Sequence, residues 1–189
     1  RDGVKTLILG EPNAGKSSLL NQLLGFERAI VSEEPGTTRD FLRERIILGS
    51  HSIQLLDTAG LREAKSGIER EGIRRTIELA EEADIFLLVE DSALPSPELP
   101  ESIAQRLNSS NCIVIRNKVD LGNALSAVHT IDVYREVAFS ALTGEGLDEL
   151  KSALIALIDS HFSSDEDDLI LVNARHNAAL AELKDCLSG

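Results

Sequence analysis

One segment, Gly10-Glu11-Pro12-Asn13-Ala14-Gly15-Lys16-Ser17, limits this chain more than any other. Val4 to Leu9 before it reads as a buried strand. Lys16 to Leu24 after it sets Leu19, Leu20, Leu23 and Leu24 on one helical stripe. The segment satisfies G-x-x-x-x-G-K-[ST] at the strand-to-helix junction where that pattern has a mechanism. Glycines let backbone N–H groups turn inward, and the helix N-terminus adds partial positive charge. The resulting nest suits a polyphosphate, with Lys16 reaching the β and γ phosphates and Ser17 offering its hydroxyl to Mg²⁺. A glycine-rich turn without a ligand is the plainer alternative, which the flanking strand and helix disfavour.

Strand-length apolar runs alternate with helical spacing along the rest of the chain, which predicts an α/β sheet with crossover helices. Phe41 to Leu48 and Ser52 to Leu56 flank Gly49-Ser50-His51 and read as an antiparallel hairpin. Ile85 to Val89 and Cys112 to Ile115 read as buried strands, with Ile103 and Leu107 marking a helix between them. Leu147, Leu150, Leu154, Leu157 and Ile158 mark the last strong amphipathic helix. Ser163-Ser164-Asp165-Glu166-Asp167-Asp168 then breaks the pattern as a solvated linker, and helical spacing resumes at Leu180, Leu183 and Leu187. The expected division is a first domain over 1–162, an acidic linker over 163–168, and the stub of a neighbouring helical domain over 169–189. The chain begins with Arg1 and contains no methionine, so an excised internal domain is expected.

Composition narrows the partners. With 19 basic and 32 acidic residues the net charge is -13, a field that opposes a phosphate backbone. No run approaches the ~18 uncharged apolar residues of a membrane span, and no signal-peptide core follows Arg1-Asp2-Gly3. Cys112 and Cys186 are too few for a disulfide framework and lack zinc-ligand spacing, so a reducing cytoplasm is expected.

Four further motifs extend the phosphate loop into a site. Ile53 to Leu56 ends in Asp57-Thr58-Ala59-Gly60, placing a carboxylate at a strand end as a Mg²⁺ ligand and a glycine whose N–H can approach a γ-phosphate. Thr37 and Thr38 lie in the intervening loop, where a hydroxyl would complete the Mg²⁺ shell; taken singly they are also ordinary loop polarity. Asn117-Lys118-Val119-Asp120 follows a strand and selects the base. A carboxylate at Asp120 accepts hydrogen bonds from the N1–H and exocyclic amine of guanine, whereas adenine presents an acceptor at N1 and no amine at C2. Sites built this way reject the analogue by ~10⁴-fold or more. Ser140-Ala141-Leu142, after Val137-Ala138-Phe139, either adds a backbone contact to the base or is a plain strand-end turn.

These five elements in this order resemble a Ras-type GTPase of the translation-factor-related class. The finer wording is similar to the G domain of the tRNA-modification GTPase MnmE (TrmE) family. It rests on Pro12-Asn13-Ala14-Gly15-Lys16-Ser17-Ser18-Leu19-Leu20-Asn21, Gly36-Thr37-Thr38-Arg39-Asp40 and Asp57-Thr58-Ala59-Gly60-Leu61-Arg62-Glu63. It covers about residues 4–160, and Asn173-Ala174-Arg175-His176 resembles the start of that family's C-terminal helical domain. The resemblance implies a Ras-like P-loop fold with a six-stranded, mostly parallel sheet and helices on both faces. It implies GTP and GDP as ligands contacted by Asn13, Ala14, Gly15, Lys16, Ser17, Ser18, Thr37, Thr38, Asp57, Gly60, Asn117, Lys118, Asp120, Ser140, Ala141 and Leu142. Mg²⁺ falls to Ser17, Thr38 and Asp57. Full-length relatives are cytosolic homodimers that pair through their G domains and work with an FAD-containing partner, MnmG (GidA), on the wobble uridine of certain tRNAs.

The residue after Gly60 raises a question of mechanism. Ras-like proteins orient the attacking water with a Gln there, and Leu61 cannot. Glu63, Glu69 and Glu71 are the nearby acids, and by pattern each is equally a solvated helix-start residue. The resemblance assigns the water to Glu69, in Gly67-Ile68-Glu69-Arg70-Glu71-Gly72, with Gly60 and Lys16 completing the catalytic set. No arginine finger is evident. The resemblance supplies K⁺ instead, held by Asn13 and by the backbone of the loop containing Ser32, Glu34 and Thr37. Here Ser32 stands where Thr is commoner and Glu34 where an apolar residue is expected; alternatively Asn13 simply forms the turn. Two competing functions stay open: a nucleotide-gated binding module with little hydrolysis, and a ribosome-assembly GTPase of the Der type, which should show two tandem G domains. Asn117 to Asp120 disfavours ATP-dependent kinases.

Overall fold

The computed structural model describes residues 3–26, 44–56, 69–122 and 131–161. Strand β1 (Val4–Leu9) enters the phosphate loop, and helix α1 (Lys16–Phe26) leaves it. Strands β2 (Glu44–Leu48) and β3 (His51–Leu56) form the expected antiparallel hairpin, with Leu48 opposite His51. The connecting turn is therefore Gly49-Ser50 alone. His51, expected in the turn, is the first residue of β3, because a two-residue turn with Gly49 at positive φ (60°) matches the strand twist. Its Nε2 lies 2.9 Å from the Asp159 carboxylate.

Helix α2 (Glu69–Glu82) leads to β4 (Ile85–Asp91), and the short helix α3 (Glu101–Ala104) leads to β5 (Cys112–Asn117). The helix expected around Ile103 and Leu107 is thus a single turn. Gln105 closes it, and Asn108 then turns the chain into β5: its side chain accepts from Ser110 N (2.8 Å), and its carbonyl accepts from Cys112 N (3.0 Å). Ile103 and Leu107 are nevertheless both buried. Strand β6 (Arg135–Ala138) and helix α4 (147–161) complete the described fold.

The sheet order is β2-β3-β1-β4-β5-β6, with every pairing parallel except the hairpin. Alternation along the strands divides the core. Ile85, Leu87, Val89, Ile113 and Ile115 pack with Leu19, Leu20 and Leu23 of α1 and Leu150, Leu154 and Leu157 of α4. Phe86, Leu88, Cys112 and Val114 face the other way, against Leu79 and Ala80 of α2 and Ile103. Both faces are covered, as buried parallel strands require. From β1 the chain moves first toward β3 and then back past β1 to β4, so the order reverses at β1. The carboxyl end of β1 is the switch point where open α/β sheets bind ligands, and the phosphate loop stands there.

Candidate nucleotide site

The loop after β1 turns by backbone torsions that few residues accept. Asn13 has φ 64° and Gly15 φ 103°, and asparagine tolerates the left-handed region because its short side chain bonds locally. A Cβ on Gly15 would collide with the Asn117 amide, so only glycine lets the loop close against β5. Leu19 N donates to Gly15 O at 2.9 Å, which sets the first turn of α1. Lys16, the first residue of α1, folds back and donates to the carbonyls of Gly10 (2.8 Å) and Glu11 (2.6 Å). Burial pushes its pKa down and Glu11 partly opposes that. A half-buried ammonium satisfied by neutral carbonyls is poised for a stronger anionic partner.

Asn117 joins this loop to the base side. Fully buried at the end of β5, its Nδ2 donates to Ala14 O at 2.8 Å and its Oδ1 accepts from Ala141 N at 3.0 Å. One amide thus bridges the phosphate loop, β5 and the loop after β6. Lys118 then takes a left-handed conformation (φ 66°), with Nζ 2.6 Å from Asp91 Oδ2. That bond, together with Ala93 N at 3.0 Å, holds the Asp91 carboxyl below its usual range. A 3-10 turn over Val119–Leu121 presents Asp120, whose Oδ1 accepts from Ser140 Oγ at 2.6 Å. Ser140 is anchored in turn: its Oγ accepts from Thr143 N (3.1 Å) and its N donates to Glu145 O (3.0 Å). Gln22 of α1 donates to Ala141 O at 3.0 Å. Leu142 is 82% exposed beside these groups.

Asn13, Ala14, Gly15, Lys16, Ser17 and Ser18 therefore occupy one loop and helix start. Asn117, Lys118, Asp120, Ser140 and Ala141 form one hydrogen-bonded cluster linked to it through Asn117, with Leu142 next in the chain. Glu69 is the first residue of α2. Ser32, Glu34, Thr37, Thr38, Asp57, Gly60, Leu61 and Glu63 lie outside the described residues, as do the linker and the helical stub. Sequence reasoning missed Asp91, Gln22 and the ion pair of Glu90 with Arg116. The readable signal was charge inside strands that are otherwise apolar.

Among the described residues no helix is long and apolar enough to cross a membrane. The sequence model of the 50S ribosome-binding GTPase family matches residues 5–118, more than half of the chain. The tRNA modification GTPase MnmE of Opitutus terrae is 47% identical over 182 residues, covering 96% of this chain and 40% of the relative. That of Geotalea uraniireducens is 41% identical over 188 residues, covering 99% and 41%. The chain thus spans about two fifths of these relatives. Among solved structures, the G domain of the T. maritima FeoB iron transporter is 26% identical with TM-score 0.52, covering 82% of this chain and 98% of that one. Translation elongation factor SelB from Methanococcus maripaludis, in complex with the GTP analogue GppNHp, has TM-score 0.58 at 19% identity, covering 84% and 34%, a likeness of fold. With the phosphate loop, the Asn117–Asp120 cluster and the sheet order of a Ras-like G domain drawn together, this chain belongs to the 50S ribosome-binding GTPase family and is similar throughout to the tRNA modification GTPase MnmE.

Proposed function

We propose that this chain is the G domain of an MnmE-type GTPase, a Mg²⁺-dependent GTP hydrolase stimulated by K⁺ and by pairing of two G domains. In the full-length cytoplasmic protein it would time the modification of tRNA wobble uridine with an MnmG-type partner. The observation that carries the reading is the Asp120 carboxylate, fixed by Ser140 while Asn117 ties the base side to the phosphate loop. The proposed boundary sets the G domain at 1–162, before an acidic linker (163–168) and the start of a helical domain (169–189).

The described residues fit a metal-bound polyphosphate. Gly15 lets the loop close against Asn117, Lys16 leans back over the loop, and Ser17 follows it in α1. Ser17, Thr38 and Asp57 would hold Mg²⁺; Asn13 with the backbone of Ser32, Glu34 and Thr37 would hold K⁺. When bound, these cations offset charge developing on the phosphates. In hydrolysis a water oxygen bonds to the γ-phosphorus, the bond from phosphorus to the β–γ bridging oxygen breaks, and that oxygen leaves with the electron pair on GDP. Glu69 would orient the water, Lys16 would contact the β and γ oxygens, and the Gly60 N–H would serve the γ-phosphate.

GTP turnover in K⁺ and in Na⁺, with oligomeric state read in the same buffers, tests this proposal. Faster turnover and nucleotide-dependent pairing in K⁺ are expected. Equal turnover in both ions overturns the K⁺ role, and negligible turnover in both favours a nucleotide-gated binding module. Glu69→Ala should keep GTP affinity and pairing yet lose the stimulated rate, ~10²-fold on the scale of general-base positioning. A wild-type stimulated rate would reassign the water.

A further inference from the structure

Arg116 has no place in the site derived above, yet it is the one guanidinium in a strand whose other residues are all buried. Its side chain is 5% exposed and that of Glu90 is 1% exposed, on the sheet face shared with Phe86, Leu88, Cys112 and Val114. Arg116 Nη1 donates to Glu90 Oε2 at 2.9 Å, and Nη2 donates to the Ser92 carbonyl at 3.1 Å. Glu136 of β6 lies 3.8 Å from Nε, and Ser96 Oγ donates to Glu90 Oε2 at 3.2 Å. Burying such a pair costs desolvation that apolar residues of similar volume would avoid, so stability alone is a weak reason for it.

Its position suggests another use. Glu90 and Arg116 are paired across β4 and β5, and the next residues of the same strands, Asp91 and Asn117, are paired in the same register. Asp91 holds Lys118, and Asn117 holds the Ala14 carbonyl and the Ala141 amide. Ser92 closes the circuit: its carbonyl accepts from Arg116 while its N–H donates to Asn117 O at 2.8 Å. The guanidinium therefore holds the carbonyl of the same residue, Ser92, whose N–H on the preceding peptide pins the backbone of Asn117, immediately before Lys118 and Asp120. Only a planar fork can hold a carboxylate and a carbonyl together in this way; a lysine is a point charge on a flexible stem.

We propose that Arg116, with Glu90, is a positioning residue for guanine recognition, acting through Ser92 on the Asn117–Asp120 segment. The inference rests on Asp120 reading guanine. Loss of the clamp should blur base discrimination more than it weakens the phosphate contacts. The discriminating probe is inosine diphosphate, which keeps the N1–H and lacks the C2 amine that the second carboxylate contact requires.

The experiment measures GDP and IDP affinity, with thermal unfolding of the nucleotide-free protein, for the wild type, Arg116→Lys and the double variant Glu90→Leu with Arg116→Met. The double variant should unfold at or above the wild-type temperature. Its GDP affinity should fall ~10-fold, the scale of a misplaced recognition group, while its IDP affinity falls less, shrinking the GDP/IDP ratio. Arg116→Lys should lie between. A wild-type ratio in the folded double variant, or equal proportional loss of both nucleotides, overturns the proposal. If the double variant does not fold, Arg116→Lys decides: an unchanged ratio overturns the clamp and a reduced ratio supports it. A wild type that binds GDP and IDP equally would instead refute the base reading of Asp120.

Discussion

Asp120 is set in place by a left-handed Lys118, one 3-10 turn and a serine hydroxyl on one carboxylate oxygen. Each of these restricts where the carboxylate can point before any ligand arrives, which lowers the cost of ordering it on binding. Asp120→Asn should therefore weaken GDP binding by about 3 kcal/mol or more and improve xanthosine diphosphate, whose C2 carbonyl can accept from the new amide. Parallel titrations with fluorescent analogues check this, and equal loss for both nucleotides would defeat it. Lys16 makes a different prediction at the same scale. Its folded pKa lies below the ordinary lysine value of 10.5, chiefly through burial. The folded state then sheds this proton before the unfolded state does, so stability is gained as pH rises from the lowered pKa toward 10.5. Denaturant midpoints of the nucleotide-free protein from neutral to alkaline pH should rise relative to Lys16→Met. A constant difference between the two proteins would show that burial does not perturb the lysine.

Elements here are positioned by close approaches as much as by packing. Gly146, with φ 81°, sets the start of α4 directly against the Ala138 carbonyl at the end of β6, where any Cβ would clash with backbone. Gly146→Ala should consequently lower the thermal midpoint and, by shifting the Ser140–Ala141 loop, weaken GDP binding more than a remote core truncation of equal destabilisation. GDP affinity that simply follows stability would argue against the link. Burial on the α2 face pushes the Cys112 thiol up to about 12, with Glu90 adding to the effect. In a Cys186→Ser background, Cys112 should resist neutral-pH alkylation until the protein unfolds, and rapid labelling of the folded form would contradict its burial. The sequence made most of these elements legible, because the apolar runs at Val4, Ile85 and Cys112 and the stripe from Leu147 to Ile158 each have one solution. It misplaced His51 and overextended the helix around Ile103. Turn length and the early end of that helix at Gln105 depend on backbone torsions that periodicity does not encode.

At the scale of the whole molecule, the phosphate-loop and guanine motifs were readable directly from the sequence, and the fold brings their residues together through Asn117. The strand order, the two-sided core and the Glu90–Arg116 clamp required the fold, since they depend on which strands become neighbours. That arrangement draws the phosphate loop after β1, the carboxyl ends of β4 and β5, and the loop between β6 and α4 to one end of the sheet, where the proposed nucleotide would lie. A nucleotide binding there crosslinks four parts of one sheet and has no equivalent site in the unfolded chain. Such a ligand stabilises the fold by mass action, about 2.7 kcal/mol at a hundredfold excess over Kd. For a domain of this size that corresponds to a rise of ~5–10 °C in the unfolding midpoint. GDP should produce this shift and ADP should not, because adenine offers Asp120 no N1–H. Asp120→Asn should lose the response to GDP and acquire one to xanthosine diphosphate, while Lys16→Met should lose the response to both. Equal shifts from ADP and GDP would mean that phosphate contacts alone stabilise the sheet, and that the base-reading half contributes nothing to the coupling.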